Sequence, residues 1–238
     1  MKNLNLIAGT LTLAAATVAM AAPVTLDQNG VGSGSNVRIL NNGNWQNVFA
    51  GQIRHAISGA VGMESWMNGT QLTYCADLAQ STSSSPVTFN STTIASLSTS
   101  NPMGAVKANA IRDMFVFASG AQISTTASND FATAFQLAIW EVINDYDTSA
   151  ANNGLSATSG LFRAKKTDGS SLSSGVMGNL NALFAVAGDN LSVVGMNIAG
   201  LSSECNQDQI VSGAMVPTPG ALALVGCGGL VALRRRRK

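Results

Sequence analysis

Histidine is almost absent from this chain: His55 stands alone, on a segment with strand character, and reads as a packed or surface residue. One histidine and three scattered cysteines, Cys75, Cys205 and Cys227, offer no zinc-ligand spacing, so neither metal nor cofactor is expected. No glycine-rich phosphate loop follows a strand, and no nucleophile-elbow pattern occurs, which argues against nucleotide enzymes and α/β-hydrolases. Charge is sparse too, at 11% of residues. Five of the thirteen Lys and Arg end the chain and one is Lys2, so the body holds seven cations against twelve acids, near −5. Such a body has no basic face, and nucleic acid is not expected as a partner. Glu64 and Glu141 are lone acids with little claim to be a glycosidase pair. Asn144 to Asp147 has oxygen ligands suited to calcium but reads better as a solvated helix exit.

Both ends of the chain carry address-like patterns. Met1-Lys2-Asn3 brings one positive charge, small and apolar residues run from Leu6 to Met20, and Ala19-Met20-Ala21 fits a signal-peptidase site. A secretory signal over 1–21 is expected, and export places the rest where thiols oxidise. At the other end, Val216-Pro217-Thr218-Pro219-Gly220 precedes an apolar stretch, Ala221 to Leu233, and then Arg234-Arg235-Arg236-Arg237-Lys238. Counted from Val216 the segment has roughly the minimum length of a membrane helix, counted from Ala221 it is short, and its basic end would stay cytoplasmic. Residues 216–238 resemble the PEP-CTERM sorting signal, with Pro217 and Pro219 as its Pro-x-Pro and Thr218 where the family name has Glu. The resemblance implies an exosortase-type processing enzyme, a transient inner-membrane tether, and a final place at the cell surface or outside the cell.

Between these ends, residues 22–212 suffice for one domain. Strand character dominates Val24 to Leu78. Phe49, Ile53 and Ile57 share one parity, and after the Asn68-Gly69 turn Leu72, Tyr74, Ala76 and Leu78 face opposite to Thr73, Cys75 and Asp77. Residues 80–101, rich in Ser and Thr, read as a loop or irregular edge. A helix is predicted after Asn101-Pro102, with Val106, Ala110, Met114 and Phe117 inside and Lys107, Arg112 and Asp113 outside. A second runs from a Ser128 or Asn129 cap to about Ile143, a third near Met177 to Ala187, and a last strand near Leu191 to Ile198. Strands first and helices later predict an α+β fold, a β-sandwich or barrel-like sheet with a packed helical subdomain.

The second helix contains Ala134-Phe135-Gln136-Leu137-Ala138-Ile139-Trp140, apolar over two faces yet carrying Gln136, although an unpaired buried amide costs a few kcal/mol. A glutamine bonded to neighbouring backbone is one reading. Another follows from Tyr74-Cys75-Ala76-Asp77-Leu78 some sixty residues earlier: the two motifs together resemble the thioester domain of bacterial surface adhesins. In that family a cysteine after an aromatic and a glutamine in a Thr-Gln-x-Ala-Ile-Trp helix are joined side chain to side chain. The resemblance implies Cys75 as thiol, Gln136 as acyl donor, and Tyr74, Asp77 and Trp140 as the supporting shell; Phe135 stands where the family has Thr. It also implies covalent attachment to an amine or hydroxyl on a partner surface, a single reaction and not enzymatic turnover.

The chemistry is sound in itself. A thiolate attacking a glutamine carboxamide expels ammonia and leaves a thioester, provided the fold holds the two together, polarises the carbonyl and excludes water. The alternative is a Cys75–Cys205 disulfide in a noncovalent structural or carbohydrate-binding matrix protein, since removal of the tail with Cys227 leaves an even pair.

Overall fold

The structure, a computed structural model, describes residues 23–97, 102–119, 123–192 and 195–214. The predicted export signal and the sorting segment, with Pro217, Pro219, Arg234, Arg235, Arg236 and Arg237, lie outside the described residues.

Strands β1 (Pro23–Asn41) and β2 (Asn44–Ser58) form a long hairpin, followed by β3 (Gly69–Cys75) and β4 (Val87–Thr92). Helices α1 (Gly104–Phe117) and α2 (Asn129–Asp145), the short β5 (Arg163–Lys166) and α3 (Ser174–Val186) come next, and β6 (Met196–Ser202) and β7 (Gln209–Ala214) complete the order. All strand pairs are antiparallel, in the order β2-β3-β7-β6-β4-β1-β5, and β1 pairs with β2 as well. That extra pairing closes six strands into a barrel and leaves β5 on the far half of β1, against Val37 to Leu40. Closure satisfies the strand edges that an open sheet exposes. The expected α+β class, with a barrel-like sheet and a helical layer, is the fold observed.

Two local devices shape the hairpin. Asn42 and Gly43 turn the chain at φ 49° and 78°, the positive pair a tight hairpin turn needs. Midway, register shifts between Gln28 and Gly34 let the strands cross so closely that a Cβ on Gly51 would sit 2.4 Å from the Ser33 carbonyl oxygen. One half of the hairpin therefore belongs to the barrel, and the other half reaches β5.

Side-chain alternation then separates two cores. Val24, Leu26, Ile57, Phe89, Leu201 and Val211 fill the barrel. Tyr74 and Ile210 point the other way, into a larger core shared with α1, α2 and α3. Every residue of α2 from Phe131 to Val142 is buried, as expected of a helix held between layers, and Ser128 caps it by accepting from the Phe131 N–H at 3.1 Å.

Several elements depart from the sequence reading. β4 lies within the supposed loop 80–101 and is an interior strand between β6 and β1; its Ser and Thr residues mask it. The last predicted strand begins later, at Met196, and neither β5 nor β7 was foreseen. On α1, Val106 and Phe117 are exposed, and Asp113 is fully buried. The Asp113 carboxylate accepts from the N–H groups of Gly188, Asn190 and Leu191 at 3.1, 3.0 and 2.9 Å, so it pins the loop after α3. Among the described residues no helix is long and apolar enough to cross a membrane.

Candidate functional site

Cys75 ends β3. The β2–β3 ladder stops at the pair Ile53 and Thr73, so the N–H and C=O of Cys75 have no strand facing them on that side. Gln136 of α2 takes the strand's place. Its Oε1 accepts from the Cys75 N–H at 2.8 Å, and its Nε2 donates to the Cys75 carbonyl at 2.8 Å. A carboxamide has the donor and acceptor of a peptide group, so one side chain closes the ladder. Both ends of a fully buried amide are thereby satisfied. The structure thus brings together the two residues singled out from sequence, but through the Cys75 backbone.

The thiol faces a different glutamine. Cys75 pairs in register with Gln209 of β7, and the two side chains share the barrel-facing side. The sulfur lies 3.6 Å from Gln209 Nε2 and 3.9 Å from its Oε1. The carboxamide is held at both atoms: Nε2 donates to the Gln207 carbonyl at 3.1 Å, and Oε1 accepts from the Thr73 hydroxyl at 2.8 Å. Thr73 Oγ1 also lies 3.0 Å from His55 Nδ1. The one Thr73 proton is directed to Gln209, its alternative being an Ile53 carbonyl at 3.5 Å. His55 must then donate from Nδ1, which leaves its Nε2 as an acceptor.

Burial sets the protonation of this row. It pushes the Cys75 thiol up to about 12; the Gln209 contact opposes the rise and the Asp77 charge adds to it. It lowers His55 to about 4, against the pull of Asp27. At neutral pH the site therefore holds a protonated thiol beside a polarised carboxamide and a neutral imidazole.

The remaining predicted residues fall as follows. The Tyr74 ring packs 4.8 Å from Phe135 and 6.2 Å from Phe115, an aromatic cover on the helix side of β3. Trp140, one turn after Gln136, packs 6.3 Å from Phe162. Asp77 is half-buried; its Oδ1 accepts from the Ala79 N–H at 2.6 Å and its carbonyl accepts from Gln207 Nε2. Cys75 is buried and Cys205 is exposed, and the two are not bonded to each other in the structure. His55, expected to be packed or exposed, is packed, and it belongs to the buried polar row. Glu64 accepts from the Ser91 hydroxyl and Glu141 from the Ser156 N–H, each in its own setting. Among the described residues, no group of three or more His, Cys, Asp or Glu could hold a metal ion.

Sequence reasoning missed Gln209 and Thr73 as site residues. Thr73 shares the strand parity of Cys75, which was legible; the register that sets β7 beside β3 was not. No known protein family, curated protein or solved structure matches this chain.

Proposed function

We propose that this is an exported surface or matrix protein that carries an internal thioester between Cys75 and a buried glutamine, for covalent attachment to an amine or hydroxyl on a partner surface. The observation that carries the reading is the Gln209 carboxamide, 3.6 to 3.9 Å from the thiol and hydrogen-bonded at both its atoms. Gln209 is therefore the acyl donor, and Gln136 is the clamp that fixes the strand end.

A thiol whose ionisation burial opposes loses its proton as it reacts. Sulfur attacks Gln209 Cδ while its proton passes to Nε2; the S–C bond forms, the C–N bond breaks and ammonia leaves. Negative charge growing on Oε1 meets the Thr73 hydroxyl already aimed at it. The Gln136 clamp holds Cys75 in place, so little orientational freedom is lost at the moment of attack. The thioester later transfers its acyl group to the partner and returns the thiol. Each chain reacts once, so it is not an enzyme. Export, the exosortase-type processing and the transient inner-membrane tether belong to the same reading, supported by the terminal motifs.

Intact mass tests it. The folded chain should be lighter by one ammonia and should add methylamine, and Cys75→Ala should abolish both effects. The methylamine should map to Gln209; a label on Gln136 would move the acyl donor to the helix. A loss of two hydrogens with no response to methylamine would mean a disulfide and defeat the proposal.

A noncovalent carbohydrate-binding role has one observation in its favour, an open groove of about 530 Å³ lined by Asn152, Asn153, Asn181 and Phe184. Polysaccharide binding that survives Cys75→Ala but not Phe184→Ala would support it.

A further inference from the structure

The acyl carbon of Gln209 lies inside a closed barrel, and both halves of the chemistry need passage: ammonia must leave and a nucleophile must arrive. On the helix side the way is closed by the buried rings of Tyr74, Phe115 and Phe135. At the barrel mouth a small cavity reaches the site. His55, Gln207 and Gln209 line it together with Leu26, Phe89, Ser83 and Ser85. Its inner wall, His55 and Gln209, is buried, and Ser85 at its rim is exposed. Its volume is about 10 Å³, enough for a single small molecule of the size of water or ammonia.

Resting on the Cys75–Gln209 reading, we infer that this mouth is the port through which ammonia departs and the attacking nucleophile enters, that it admits only a slender, unbranched end, and that His55 accepts the nucleophile's proton. His55 suits the role because its Nδ1 is committed to Thr73 and its Nε2 is left to accept. Burial keeps the ring neutral at pH 7, so that acceptor is open. In the transfer step the bond from nucleophile to acyl carbon forms and the C–S bond breaks. The nucleophile's proton is taken by His55 Nε2 and released to the cavity, and the departing Cys75 sulfur takes up a proton, which restores the thiol. Throughout, Thr73 stays on the acyl oxygen.

The test uses the full chain, first shown by mass to lack one ammonia. Methylamine should react about 10-fold or more faster than tert-butylamine, which carries its branch at the reacting end. Ser85→Trp, a change at the exposed rim, should slow methylamine by a similar factor without altering the thermal midpoint. His55→Ala should slow it about 10²-fold, and the rate corrected for free methylamine should lose the step near pH 4 that His55 gives the parent chain, which a purely structural defect would not remove. Should His55→Ala fail to fold, the amine comparison and Ser85→Trp still decide the matter. Equal rates for both amines, or an unaffected Ser85→Trp, would overturn the port while leaving the thioester in place. A parent chain that never loses ammonia would overturn the thioester and the port with it.

Discussion

At Gln136 a side-chain amide completes the hydrogen bonding of a strand end, and the two atoms of that amide do opposite jobs. Gln136→Glu keeps an acceptor for the Cys75 N–H but, when ionised, sets a lone pair against the Cys75 carbonyl. The variant should lose about 2–3 kcal/mol in urea unfolding at pH 7. It should recover part of that at pH 5, as the buried acid takes a proton and can donate again. Glu141, fully buried one turn after Leu137, gives a second titration. Burial raises it from 4.5 to about 8, the Ser156 N–H opposing the rise and the Asp145 charge adding to it. Between those values the folded chain binds more protons than the unfolded one, so this group makes stability fall as pH rises through that window. Glu141→Gln should flatten that part of the stability curve, followed by thermal unfolding from pH 4.5 to pH 8.

Individual elements differ in how plainly they are written. α2 is legible because a Ser cap and a long apolar run agree, and Ser128→Ala should cost about 1 kcal/mol by loss of the cap, seen as a lower denaturation midpoint. The hairpin crossing is not legible, because Gly34 and Gly51 signal a bend but not which strands meet there. Gly51→Ala would press a methyl group into the Ser33 carbonyl oxygen and the Gly34 Cα, at 2.4 and 2.6 Å, with φ at +156°. It should destabilise the chain by about 2 kcal/mol or more, by the same measurement. β4 and β7 escape pattern reading for a shared reason. A small barrel turns half of each strand inward, and here part of the interior is polar, so Ser91 and Gln209 sit where alternation calls for apolar residues.

Across the whole molecule, the site is assembled from segments 134 residues apart, on strands that meet only when the barrel closes. Ammonia release should therefore track folding. A chain held in urea should keep its full mass, and dilution should start the loss of ammonia at a rate no faster than the recovery of tertiary structure. Loss of ammonia in the unfolded chain would show that the barrel is not needed to bring the groups together. The β5 edge is guarded by Lys165 and Lys166, with the Lys165 ammonium 4.0 Å above the Trp45 ring, which suits a strand left outside the closed barrel.

The sequence alone determined the α+β class and the cap and burial of α2, and it singled out Cys75 and Gln136, because periodicity and local motifs are properties of neighbouring residues. The terminal patterns behind the proposed export and sorting are local too. Only the tertiary structure decided that Gln136 serves the Cys75 backbone and that Gln209 meets the thiol, with Thr73 and His55 behind it. Strand register and barrel closure arise from the packing of all the strands at once, and no short stretch of chain encodes them.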